Sequence, residues 1–423
     1  MKRRLFLRAL LAICALALVF FSLSSCGMRK KLDEPIKFII ATDVHYIAPS
    51  LLGDGTFFSE IGETRNDGKL VHYIEEITDA FLDEVIAKKP QALILGGDLT
   101  MNGARVSHEA LAAKLERVKE QGIDILIIPG NHDVDQVAVS YAGEKLEEAE
   151  AINSGEFYGI YSSLMPNSVI SRDESSLSFI YGASERLWIL MLDTNVFGQC
   201  YVKEDTLKWL ESKLAEADKQ GIDVISVSHQ NIYAHSELLS FGYQLYNHQA
   251  LLDLYEKYSV QCNFSGHIHI QSVMDESLPE IVTSSMAVTG LHYGEISYDG
   301  KGIDYSARTV DVDGYVAKNG GANDENLSDF ESYATWYFEE VARSQVRSAF
   351  AESSLSDDEI ELLAETYAKI NSAYFEGRPI DQSAHSEGLA LWREQKSSFI
   401  LNYIESMITH GESDERAIYV KFK

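Results

Sequence analysis

Five short polar clusters, each placed directly after an apolar run, constrain this chain more than any other feature. In order they are Asp43-Val44-His45, Gly97-Asp98, Gly130-Asn131-His132-Asp133, Ser228-His229 and Gly266-His267-Ile268-His269. The runs ahead of them, 37–41, 92–95, 125–128, 224–227 and 261–264, read as strands, as does 188–192. Amphipathic patterns near 70–88, 104–121, 203–220 and 249–258 predict helices between them, which makes this region an α/β domain. In an open α/β sheet, ligands bind at the carboxyl ends of parallel strands, so clusters far apart in sequence can converge there. Segments 295–298 and 303–312, on either side of Asp299-Gly300-Lys301-Gly302, predict a hairpin.

Seven side chains in these clusters, Asp43, His45, Asp98, Asn131, His229, His267 and His269, are oxygen and nitrogen donors of the kind that suit Mn, Fe or Zn. Two cations sharing one carboxylate need about three further ligands each, and seven donors with one shared satisfy that count. One Asp-x-His or one Gly-Asp alone is more often a turn or a cap. The joint occurrence is what carries the reading. The other histidines, including His72, His108, His235, His248, His292, His385 and His410, have no such support. Asp193-Thr194-Asn195 reads as a loop cap, and Asp133 as a carboxylate that holds backbone or ligands.

The blocks D-x-H, G-D, G-N-H-D, H and G-H-x-H, in this order and spacing, resemble the calcineurin-like metallophosphoesterase family. Gly97-Asp98-Leu99-Thr100-Met101-Asn102-Gly103 is similar to the G-D-L-x-x-x-G form of its bacterial cyclic-nucleotide phosphodiesterase-like branch. The resemblance covers most of 36–290. It implies a metallophosphoesterase-type β-sandwich flanked by helices, and two divalent metal ions. By that resemblance Asp43, His45, Asp98 and His269 bind the first ion, and Asp98, Asn131, His229 and His267 the second, with Asp98 as the bridge. His132 would sit over the reacting phosphate and assist the leaving oxygen. The family often has two adjacent histidines in its fourth block, whereas this chain reads Ser228-His229-Gln230-Asn231. Met101 stands where purple acid phosphatases carry a tyrosine ligand, which argues against an iron–tyrosinate site.

These roles predict a metal-dependent phosphoric ester hydrolase. Two cations lower the pKa of a bridging water, hydroxide attacks phosphorus, and His132 protonates the group that leaves, since an imidazole titrates near neutral pH. The expected reaction is phosphodiester hydrolysis, with cyclic nucleotides or extracellular phosphodiesters as candidate substrates. The alternatives are a phosphomonoesterase or nucleotidase, and a non-catalytic metal-containing lipoprotein that binds a wall or membrane partner. Acidic residues outnumber basic ones 65 to 36, for a net charge of −29, so a nucleic acid polymer is not an expected partner. Locally, the positive charge of the cations would win over surface charge screened within about 8 Å.

Lys2, Arg3, Arg4 and Arg8 precede an apolar run from Ala9 to Leu23, and Leu23-Ser24-Ser25-Cys26 resembles a bacterial lipobox. The expected organisation is a signal peptide over 1–25 and a tether over 26–35 with a lipidated Cys26. A catalytic domain over 36–313 and a small C-terminal all-helical domain over 327–423 follow. The protein would then sit on the extracytoplasmic face of a bacterial cell membrane. Residues 314–326, rich in Gly, Asn and Asp, mark the boundary. Beyond it, Phe330, Tyr333, Tyr337 and Val341, then Ile360, Leu363, Tyr367, Ile370 and Tyr374, repeat at helical spacing and read as core or domain interface. Ser356 and Glu359 are placed as a capping box, and a third helix is expected over 387–410. Two loops are candidates for substrate selection: 46–68 with Phe57 and Phe58, and 232–247 with Tyr233, Phe241, Tyr243 and Tyr246. Cys262 reads as a small buried hydrophobe and Cys200 as a loop residue, with their pairing left open.

Overall fold

The computed structural model describes residues 31–423 apart from 54, 56, 59–67, 197, 198, 237, 320–323 and 397. The expected signal peptide and Cys26 lie outside the described residues. Strands β1 (Ile36–Ala41), β2 (Ala92–Leu95) and β3 (Asp124–Ile127) run parallel in one sheet. A second sheet is built from β4 (Val169–Arg172), β5 (Phe179–Ser184), β6 (Leu187–Leu192), β7 (Asp223–Ser228), β8 (Asn263–Ser265), β9 (Ser272–Met274) and β10 (Glu280–Val282). Within it β6, β7, β8 and β10 are parallel. The hairpin β11 (His292–Tyr298) and β12 (Gly302–Thr309) then joins the first sheet, with β11 antiparallel to β1.

The two sheets face each other. Phe38, Ile40, Ile94 and Leu126 from the first meet Ile189, Met191, Val227 and Phe264 from the second in one apolar layer. The alternate residues Ile39, Leu93 and Ile125 point outward, where α1 (Ile74–Lys88), α2 (Arg105–Lys119) and α3 (Ser154–Tyr161) cover them. On the far side α4 (Glu204–Gln220) and α5 (His248–Lys257) cover Trp188, Leu190 and Val224. Burial on both faces explains why these strands read as continuous apolar runs rather than as alternating ones. Each such side chain contributes about 1.5–3 kcal/mol on burial. Cys262 is fully buried in the middle layer, and Cys200 and Cys262 are both free thiols.

The expected boundary over 314–326 is partly helical: α6 (Val312–Asn319) covers most of its first half, and Asp313 accepts a hydrogen bond from the Phe330 amide. The helices that follow are α7 (Phe330–Phe350), α8 (Asp357–Phe375), α9 (Ser386–Glu394) and α10 (Phe399–His410). Ser356 and Glu359 form the capping box at the start of α8. The single third helix expected over 387–410 is two. The Ser398 hydroxyl accepts from the Leu401 amide and starts α10 afresh, so that Leu389 and Trp392 on α9, and Ile404 and Met407 on α10, all reach one core. After α10 the chain returns as β13 (Ala417–Lys421) and pairs with β12, so the tail expected to be all-helical over 327–423 ends instead as a strand of the first sheet.

Candidate metal centre

Each polar cluster leaves the carboxyl end of a strand: Asp43 and His45 follow β1, Asp98 follows β2, Asn131 and His132 follow β3, His229 follows β7, and His267 and His269 follow β8. Backbone hydrogen bonds fasten the turns to one another, from the Asp43 amide to the Gly97 carbonyl (2.9 Å), His45 to Asp98 (3.0 Å) and Gly266 to His229 (3.0 Å). The His267 amide donates to Asp43 Oδ2 at 2.8 Å and so ties the second sheet to the first. Asp43, His45, Asp98, His267 and His269 all have left-handed backbones, with φ between 49° and 70°. For residues with a Cβ this costs about 1–3 kcal/mol each and persists where the surroundings enforce it, commonly at functional sites. A Cβ at Gly130 would collide with the Asp98 carboxylate, and one at Gly266 with Thr42 and Asp43. Only glycine lets these turns pack so closely.

Among the described residues two donor groups form, Asp43, His45, Asp98 and His269 in one and Asp98, His229 and His267 in the other, the chosen atoms of each lying within 4.8 Å of one another. Asp98 belongs to both. His269 Nε2 lies 3.1 Å from Asp43 Oδ1 and 3.0 Å from His45 Nε2. His229 Nε2 is 3.2 Å from Asp98 Oδ2 and 3.2 Å from Asn131 Oδ1. Thus all seven expected donors come together, with Asn131 on the side of the second group.

The residues fit a pair of cations. Asp43 Oδ1 is buried without a hydrogen bond, and two imidazole nitrogens face each other beside it, an arrangement that calls for positive charge between them. Burial, then the charge of Lys69, holds His45 well below the usual histidine range, so it is neutral and has a lone pair to give. Burial works against ionisation of Asp43, but the charges of His269 and His229 outweigh it and keep the carboxyl well below its ordinary value. Burial likewise opposes His229 protonation, yet Asp98 overrides it and pushes this imidazole up to about 9. A cation replacing that proton would satisfy the same carboxylate. Burial, then the charge of His229, lowers His267 to about 4.

Outer contacts fix which nitrogen faces the centre. His229 Nδ1 is 3.1 Å from the Gly96 carbonyl, and His267 Nε2 is 2.9 Å from that of Gly242. Donating there leaves His229 Nε2 and His267 Nδ1 for the site. His132 Nδ1 lies 2.8 Å from the Met101 carbonyl, which frees Nε2. Asp133 accepts from the backbone amides of Leu99, Thr100 and Gly130, holding the second and third clusters together. Burial and the Asp98 charge raise its carboxyl to about 6. Gln230, the residue after His229, donates to Asn195 Oδ1 at 2.6 Å and lies 3.5 Å from Asn131 Oδ1.

Sequence reasoning missed three parts of the surroundings. Glu280 is a fully buried carboxylate that accepts from the amides of Ile232 and Tyr233, from Asn263 and from Ser265, and pairs with His235 at 3.2 Å. It anchors the segment just after His229. Lys69 is buried at the edge of the centre, where its charge acts on His45. The third part is the helical tail: a cavity of about 450 Å³ opens over Asp98, Asn131 and His132, and α7, α8 and α10 supply much of its wall. Of the loops expected to select substrate, 232–247 contributes Tyr243 to this cavity, while Phe58 packs against Tyr141 in the core at 5.1 Å between rings.

Residues 36–271 match the family described as calcineurin-like phosphoesterase, and residues 311–414 match the C-terminal domain of cyclic nucleotide phosphodiesterase. No curated protein matches the chain. Among solved structures it is similar to a dimetal phosphatase from Danio rerio, with 14% identity, a TM-score of 0.44, and coverage of 66% of this chain and 97% of that one. It is also similar to GAP50, the anchor in the inner membrane complex of Plasmodium, at 14% identity and a TM-score of 0.41 over 66% of this chain and 86% of that one. The match over 36–271 spans more than half of the sequence, and the chain belongs to the calcineurin-like phosphoesterase family.

Proposed function

We propose that this protein is a dinuclear-metal phosphodiesterase. The observation that carries the reading is Asp98, the one carboxylate shared by both donor groups, with His132 beside it at the cavity floor. Asp43, His45, Asp98 and His269 would hold one divalent cation, and Asp98, Asn131, His229 and His267 the other. When bound, such a pair acidifies water and offsets the charge that builds on the phosphoryl oxygens. The chain's own part is positioning and proton transfer. Asp98 Oδ1 accepts the His132 amide at 2.7 Å, so the carboxylate shared by the two donor groups and the acid, which lie on different turns, are held together. With Nδ1 committed to Met101, His132 Nε2 is the nitrogen that delivers a proton to the departing oxygen.

Two features favour diesters over monoesters: the cavity extends well past the donors, leaving room for a second ester group, and the tail matches a domain of cyclic nucleotide phosphodiesterase. With Mn added, the full chain is expected to cleave bis(p-nitrophenyl) phosphate at least tenfold more efficiently than p-nitrophenyl phosphate. The reverse preference would make it a phosphomonoesterase or nucleotidase. His132→Ala is expected to lower kcat about 10²–10⁴-fold for an alkyl leaving group. For p-nitrophenolate, which departs without a proton, the loss should be far smaller. Equal losses for both leaving groups would remove His132 from the acid role. We also propose the lipid-anchored, extracytoplasmic location, on the strength of residues 2–26 alone; mass spectrometry of the mature N-terminal peptide would show an acylated Cys26 or end that reading.

A further inference from the structure

The wall of the cavity opposite the metal centre has two kinds of surface. One is aromatic: Phe338 on α7 meets Phe375 on α8 with ring centroids 4.8 Å apart, and Phe399 lies parallel to Tyr403 on α10, with 12° between their planes. Phe399 is 63% exposed, an unusual state for a phenylalanine with a packed helix behind it. The other surface is carboxamide. Asn371 on α8 lines the cavity, is only 7% exposed, and its Oδ1 is buried with no hydrogen-bond partner. Gln345 on α7 lines the same cavity from an exposed position.

A buried amide oxygen without a partner is costly unless something supplies a donor. No described residue does so here; the oxygen has no face open to the cavity as it stands, and a turn of the side chain, which lies on the wall of the space that substrate would fill, is what would bring the carboxamide to a donor there. That decides between two occupants of an aromatic pocket. An acyl chain would pack against Phe338, Phe375 and Phe399 but leave the carboxamide unpaired. A flat heteroaromatic ring gains the same faces by stacking and also presents N–H and carbonyl groups along its edge. An asparagine or glutamine amide, with an acceptor and two donors, pairs with such an edge bidentately.

Building on the phosphodiesterase reading, we infer that Asn371, assisted by Gln345, is the specificity-determining residue of this enzyme. It hydrogen-bonds the edge of a nucleobase-like ring carried by the phosphodiester while the tail aromatics cover the ring faces. Recognition and chemistry thus come from different parts of the chain, the helical tail and the strand ends.

The test uses two esters with one leaving group, thymidine 5′-(p-nitrophenyl phosphate) and methyl p-nitrophenyl phosphate, with the Mn-loaded full chain. The wild type should prefer the thymidine ester. Asn371→Leu should lower kcat/KM for it tenfold or more, chiefly through KM, and leave the methyl ester within twofold. Gln345→Ala, at an exposed position where folding is not at stake, should give a smaller loss with the same selectivity. Equal handling of the two esters by the wild type, or an equal fall for both in Asn371→Leu, would overturn the inference. Calorimetric titration with thymidine 5′-monophosphate separates this outcome from failure of the underlying reading. If neither ester is cut, the phosphodiesterase proposal is lost, yet a tenfold weaker affinity in Asn371→Leu still supports base recognition, and an unchanged affinity removes it.

Discussion

Asp98→Asn is expected to reduce kcat/KM toward a phosphodiester by at least about 10³-fold, the largest effect of any conservative change in this chain. Asparagine keeps the shape and one acceptor, so the hydrogen bond from the His132 amide survives and the turn stays folded. The negative charge shared by the two donor groups is lost. His229, which is pushed up to about 9 chiefly because Asp98 outweighs its burial, would lose the partner 3.2 Å from its Nε2. A neutral amide also bridges two cations poorly, so elemental analysis of the purified variant should find clearly fewer than two metal ions per chain. Two bound ions together with more than a tenth of wild-type activity would show that Asp98 is not the bridge. Loss of folding in circular dichroism, with no phosphoester cut by the native protein, would instead favour a structural metal site in a non-catalytic protein.

Glu280→Ala should have the largest effect on stability, about 3–5 kcal/mol, because it strips the partner from buried donors and from His235. Glu280→Gln, which keeps the volume but turns an N–H toward other N–H groups, should cost less, about 1–3 kcal/mol. The pH dependence has a definite sign. Burial pushes this carboxyl up, but His235 and the Ile232 and Tyr233 amides win and hold it below 4.5. A carboxyl depressed in the folded state stabilises fully above its unfolded value of 4.5 and loses that contribution as pH falls toward the folded value. Guanidinium titrations should therefore show the gap between wild type and Glu280→Ala at full size at pH 7 and shrinking below about pH 4.5. A constant gap down to pH 3 would remove ionised Glu280 as the cause. Since Glu280 holds the residues after His229, activity of the variant should fall even where it remains folded.

The candidate donors were legible because each follows its strand within a few residues, and local sequence records both the strand and the donor. The hairpin of β11 and β12 and the capping box of α8 were legible for the same reason. Glu280 was not: a carboxylate in Leu278-Pro279-Glu280-Ile281 looks like any surface residue until folding brings the amides of Ile232 and Tyr233 to it. Nor was the cavity wall. Tyr367 and Val341 belong to apolar stripes read as core or interface, and both also line the cavity, because a stripe has one appearance whether a side chain or a substrate covers it. Phe58 failed as a candidate for substrate selection for the converse reason: a loop aromatic can fold inward, as it does onto Tyr141. The return of β13 depends on a distant partner, β12, that no window of sequence contains.

The segment Gly266 to Ile270 faces two ways. His267 and His269 turn toward the donors, while Ile268 and Ile270 are buried in the apolar core of the helical tail, alongside Leu363, Ile370 and Ile404. Inserting one residue here would swap the two faces, driving imidazoles into hydrocarbon and isoleucines toward the carboxylates Asp43 and Asp98. The tail and the centre therefore form a single mechanical unit joined by a five-residue rivet, and this chain cannot exchange its tail helices for others without recutting the joint that sets the spacing of its donors.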